Sequence, residues 1–157
     1  MKIRNGFVSN SSSSSFVIID YKNKPSKIDM GIDTLIVSQE MGKNQFGWEE
    51  ETSFDWGSKV IFCYLQTLYA RNKYSKFNLF ADTWLDMLET VIKDYTGCKK
   101  IEWLLSIENY TAENNSWIDH ASSAVENRNT KMFDTYEDLA RFIFGNKSFI
   151  QTGNDNG

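Results

Sequence analysis

The chain has 157 residues, the usual size of one domain. Its composition, 41% hydrophobic and 24% charged, is globular and excludes a disordered tail, while a single proline excludes a Pro-rich scaffold. The net charge is −4 and the basic residues are scattered, so no patch grips nucleic-acid phosphates and nucleic acid is not an expected partner.

Aromatic residues reach 15%, which calls for a large aromatic core or an adhesive aromatic face. Cys63 and Cys98 are too few and too far apart for a zinc motif, and each reads as a buried thiol. No metal or cofactor motif is present, and neither is expected. The opening residues lack the apolar core of a signal peptide, and no run approaches ~18 apolar residues, so no membrane association is expected. The expected setting is cytoplasmic and reducing.

In chain order, Lys2–Val8 predicts a short strand and Ser9–Ser15 a polar loop. Phe16–Tyr21, β-branched and aromatic, predicts the strand that completes a hairpin. Lys22, Lys24 and Lys27 flank Pro25 in a solvated loop, and Asp33–Ser38 reads as another strand. Glu40–Asp55 reads as a long loop with a short strand inside it. Phe46, Trp48, Phe54 and Trp56 stand in or beside that loop, and fold back on the core or anchor an interface. Ser58–Arg71 has helical spacing at Ile61, Tyr64, Leu65, Leu68 and Tyr69, with Asp55 or Ser58 as cap.

Asp82–Tyr95 carries one apolar stripe, with Asp82 as N-cap and Gly97 as the left-handed residue beyond the end. Ile101–Ile107 alternates as a half-buried strand. Tyr110–Ser116 reads as a turn facing a short strand at Trp117-Ile118-Asp119, and Ala121–Lys131 as a loop. Asp134–Glu137 or Thr135-x-x-Asp138 supplies a capping box for a helix that stops at Gly145. Ser148–Thr152 is the last strand. Helices and strands do not alternate strictly. The expectation is an α+β fold: one domain over residues 1–157, a mixed or antiparallel sheet of about five or six strands, and two or three amphipathic helices.

Three polar segments could carry chemistry. In Ser9, Asn10, Ser11, Ser12 and Ser13, and on to Ser15, hydroxyls and successive amides could cradle a phosphate or nucleotide, although polyserine is also a common plain loop. His120 is the sole histidine and could act as a general acid or base, with Asp119 beside it. The bland alternative is a histidine hydrogen-bonded at a strand end. No nucleophile elbow is present. Gly153–Gly157, with Asn154 and Asp155, has the composition of a calcium loop without its spacing. A ligand role there needs Asp119 and His120 brought near by strand pairing. Trp48 and Trp56 are the protein-interface candidates.

The opening Arg4-Asn5-Gly6-Phe7-Val8-Ser9-Asn10-Ser11-Ser12-Ser13-Ser14-Ser15-Phe16 resembles the start, R-x-G-F-V-S-N-S-S-S-S-S-F, of a group of small, mostly uncharacterised proteins of bacteriophages and some bacteria. Ile118–Ser122 and Thr152–Asn156 are also similar to segments of such proteins. The resemblance covers 13 of 157 residues at the opening. It implies a phage or prophage accessory protein acting in the host cytoplasm, and carries no activity with it.

The leading expectation is therefore a non-enzymatic binding protein that engages or inhibits a host or anti-phage defence component. The alternative is a nucleotide- or phosphate-binding or nucleotide-cleaving protein using the serine run with Asp119 and His120. A phage structural component is a second alternative.

Overall fold

The computed structural model describes residues 13–47, 50–73, 78–105, 116–118 and 131–154. Among these, the elements in order are β1 (Ser13–Ile18), β2 (Thr34–Val37), a 3₁₀ turn (Gln39–Met41), β3 (Gln45–Phe46), β4 (Glu51–Ser53), α1 (Trp56–Lys73) and α2 (Asn78–Thr96). They continue with β5 (Lys100–Trp103), β6 (Trp117–Ile118), a second 3₁₀ turn (Lys131–Phe133), α3 (Tyr136–Phe144) and β7 (Phe149–Asn154). The fold is α+β, as the sequence pattern predicts. The strands form an antiparallel sheet of order β1-β7-β4 and two parallel pairs, β2-β5 and β3-β6.

The helices follow their local signals. The Asp55 carboxylate accepts from the Ser58 amide at 2.9 Å and from its hydroxyl at 2.7 Å, which caps α1. The Thr135 hydroxyl accepts from the Asp138 amide at 3.0 Å and starts α3. Gly97, at φ 79°, ends α2 and returns its amide to the Lys93 carbonyl. Asp82 is a correction. The helix starts a turn earlier, at Asn78, so Asp82 lies inside it and accepts from the Arg71 guanidinium at 2.6 Å instead of capping. Adding residues to an existing helix is favourable and outweighed the cap.

The central element is α1. Val60, Ile61, Phe62, Cys63 and Leu65 are fully buried, and so nearly are Ser58, Lys59, Gln66 and Thr67. α2 brings Leu88, Val91 and Ile92 to the same core, and α3 brings Leu139, Phe142 and Ile143. Aromatic rings bind the layers together: Tyr64 stacks on Trp103 at 4.0 Å, Trp84 on Phe133 at 4.6 Å, and Tyr95 on Phe144 at 5.0 Å. Both thiols are free and buried, as expected. Gly42 and Gly57 let the first 3₁₀ turn press on the start of α1. A Cβ on Gly42 would lie 2.6 Å from the Ser58 amide nitrogen, and one on Gly57 would sit on the Met41 carbonyl oxygen.

Strand partners depart from the sequence expectations. Ser13–Ser15 belong to β1 and not to a loop, because each faces a residue of β7: Ser13 opposite Asn154, Ser14 opposite Gly153, Ser15 opposite Thr152. The neighbour of β1 is thus the far end of the chain. The expected strand at 2–8 lies outside the described residues. The strand expected over Ile101–Ile107 is found at Lys100–Trp103; Leu104 and Leu105 are described but lie outside it, and 106–107 lie outside the described residues. β6 pairs in parallel with β3, Gln45 opposite Trp117 and Phe46 opposite Ile118. Among the described residues β6 does not join β7, and the turn expected before it lies almost wholly outside the described residues. The extended stretch after β1 lies across two helix ends, with the Ser26 amide on the Phe144 carbonyl and the Ile28 amide on that of Tyr95. Among the described residues no helix is long and apolar enough to cross a membrane.

Candidate functional site

The β1-β7-β4 sheet has one face in the core and one outside. Val17, Ile150 and Ser53 lie in register and are buried. One residue along, the row on the opposite face is Ile18 beside Phe149, with Phe54 just past the end of β4. Ile18 is 42% exposed and Phe54 49% exposed. Phe149 is half-buried between them, and its ring centroid lies 4.9 Å from that of Phe54. The next row outward is Phe16, Gln151 and Thr52, where the Thr52 hydroxyl bonds the Gln151 side chain. An apolar row therefore stands open on a sheet whose other face is already satisfied.

Beside this row lies a pocket of about 240 Å³, and Phe54 belongs to both. Phe54, Trp56, Phe144 and Ile28 supply apolar wall, and Asp55 and Lys59 supply charge. The position of Lys59 follows from helical geometry. It stands one turn after the capping Asp55, and its amide donates to the Asp55 carbonyl at 3.2 Å. Its side chain crosses to the end of α3. There the ammonium donates to the Gly145 and Ser148 carbonyls, at 2.9 Å each. The residue is 1% exposed. Burial pulls its pKa down to about 8, against the upward pull of the Asp55 carboxylate.

A polar cluster holds the other end of the sheet. The Lys43 ammonium pairs with Glu51 at 2.9 Å and reaches the Thr152 hydroxyl at 3.5 Å. Its amide donates to the Ser58 hydroxyl at 2.8 Å. Asn44 donates to the Ser116 hydroxyl at 3.3 Å. This network anchors the loop before β3 to α1, β7 and the start of β6.

Of the residues singled out in the sequence, Ser9, Asn10, Ser11, Ser12, Trp48, Asp119, His120 and Asp155 lie outside the described residues. Ser13 and Asn154 are brought together as register partners. Among the described residues β7 has β1 on one edge and β4 on the other, so it does not pair with β6, while Asp119 and His120 themselves lie outside the described residues. Trp56 is half-buried, stacked at 5.6 Å on Phe144, and lines the pocket. Among its loop companions, Phe46 is fully buried edge-on to Phe62 at 5.0 Å, whereas Phe54 stays open. Phe46 thus folds back on the core, as one of the two expectations had it, and Phe54 remains exposed.

Lys59, Ile18 and Phe149 escaped the sequence reading. A signal existed for the last two: Phe16-Val17-Ile18-Ile19 and Phe149-Ile150 are apolar at both parities, so each strand has two apolar faces. Lys59 offered only a charge just before an apolar run. Among the described residues no three His, Cys, Asp or Glu side chains gather as a metal site. Comparison with models of known families, with characterised proteins and with solved structures found no match.

Proposed function

We propose that this chain is a non-enzymatic binding protein of phage type, which engages or inhibits a host or anti-phage defence component in the host cytoplasm. The phage and host elements of this reading rest on the opening motif. The contact surface rests on one observation: Ile18, Phe149 and Phe54 form an open apolar row on the outer sheet face. Interface energy concentrates in a few apolar and aromatic anchors, and an exposed apolar group on a packed domain is the natural place for them. Trp56, at the adjoining pocket, extends the surface. Glu50, Thr52 and Asp55 are exposed around it and supply a polar rim.

The test is affinity capture from bacterial lysate with the wild type and with an Ile18→Glu, Phe54→Gln double variant. A partner retained by the wild type and lost by the variant, with the melting temperature moved by no more than a few degrees, supports the reading. Equal capture by both proteins, or none by either, removes this face as the interface.

A second reading, phosphate or nucleotide binding at the serine run, has one observation in its favour. The β1–β7 register sets Ser13, in the last part of that run, against Asn154. Native mass spectrometry of gently purified protein is the check. A retained nucleotide supports it, and His120→Ala then reads out catalysis, whose loss costs roughly 10²–10⁴-fold.

A further inference from the structure

We propose that the pocket beside Lys59 is a binding site for a small apolar carboxylate, with the acid group held by the Lys59 ammonium and the apolar body lying against Phe54 and Trp56. This site shares Phe54 with the sheet face but does not depend on a protein partner.

Three observations carry it. First, an ammonium has three donors, and the described residues provide two acceptors, the Gly145 and Ser148 carbonyls. Second, no carboxylate among the described residues lies within ion-pair distance of Lys59, although the side chain is buried. A buried cation without a contacting counter-ion is costly, and a ligand anion relieves that cost. Third, the group borders a pocket of about 240 Å³ whose walls are mainly ring and aliphatic surface. That volume holds one ring with a short acid arm and falls below the usual range for a whole cofactor. Asp55 stands at the same pocket, but one of its oxygens is engaged by the Ser58 amide and hydroxyl. Its charge opposes any anion, and a dianion such as phosphate more strongly than a carboxylate, so among anions a single charge is favoured.

The lowered pKa of Lys59 supports the same assignment and supplies a readout. An anion in contact with the ammonium raises the midpoint at which Lys59 loses its proton, and a cation or a neutral ligand does not.

The experiment is an NMR titration of the full chain with 3-phenylpropionate, 3-phenylpropanol and phenethylamine, following resonances of Trp56 and Phe54 and the titration of Lys59. The acid is expected to bind at least about tenfold more tightly than the alcohol, the difference made by one charged hydrogen bond. It also shifts the Lys59 midpoint upward. Equal binding of acid and alcohol, tighter binding of the amine, or no binding of the acid overturns the proposal. An Asp55→Asn variant is expected to strengthen acid binding. Lys59→Met abolishes the preference for acid over alcohol if it folds, and the wild-type series decides the question if it does not. N-acetyl-glycyl-phenylalanine separates the sources of the carboxylate. Tighter binding than phenylpropionate assigns it to a chain terminus, and weaker binding assigns it to a free acid.

Discussion

At the scale of single residues, Lys59 shows how a polar side chain is kept in a core. Its ammonium replaces water with two main-chain carbonyls near the end of α3, and the charge remains expensive. Lys59→Met leaves both carbonyls without this donor, and is expected to cost about 1–3 kcal/mol in chemical denaturation. The pH dependence has a definite sign. The unfolded lysine titrates near 10.5 and the folded one near 8. Between these values the unfolded chain binds more protons, so the Lys59 contribution to stability rises with pH. Below pH 8 both states are protonated and the desolvation cost stands in full. Other groups oppose it at higher pH: burial raises the Cys63 thiol above 9, and Tyr64, Tyr95 and Tyr136 are raised above 10. Comparison with Lys59→Met isolates the lysine. The wild type should gain melting temperature relative to the variant from pH 8 to 10.5, and a constant difference would refute the assignment.

At the scale of elements, short-range chemistry explains where the helices begin and end. The Thr135 hydroxyl satisfies the Asp138 amide, an otherwise orphan donor of the first turn of α3. Thr135→Ala is expected to lower stability by about 1 kcal/mol, or roughly 2–4 °C in melting temperature. Gly97 has a purely backbone role. An added Cβ would meet only Asp29 Oδ1, at 3.6 Å, so space is not the obstacle. The φ of 79° is, and Gly97→Ala should cost about 1 kcal/mol with the packing intact. A calorimetric loss several times larger would show that the residue does more than end α2. Asp82 carries the opposite lesson. A good capping residue does not cap when the preceding residues can continue the helix, and Asp82 pairs across to Arg71 instead.

At the scale of the whole molecule, the sheet joins the two ends of the described chain. β1 near the start and β7 near the end lie side by side, with β4 on the other edge of β7. Their shared inner face covers the core, and their shared outer face carries Ile18, Phe149 and Phe54. Ile18→Glu with Phe54→Gln changes two side chains that are about half in water, so the melting temperature should move by only a few degrees. Binding should nevertheless be lost, since anchor residues contribute far more to association than to folding. If the melting temperature collapses, the outer row is part of the core and not a contact surface.

Except for the start of α2, the three helices, the Asp55 and Thr135 caps, the end of α2 at Gly97, the buried thiols and the α+β class were legible along the chain. Each depends on residues within about one turn or on the alternation of a single strand, and such interactions are written in neighbouring letters. The partners of those elements were not. Lys59 finds its acceptors 86 and 89 positions away. Ser13 meets Asn154, and Gln45 meets Trp117. Of two aromatics in one loop, Phe46 is buried and Phe54 is open. Such outcomes depend on which surfaces meet once helices and strands pack. A residue's exposure and its hydrogen-bond partner are properties of that packed arrangement, which no local pattern encodes. The apolar sheet face and the lysine-lined pocket, on which both functional readings turn, belong to this second class.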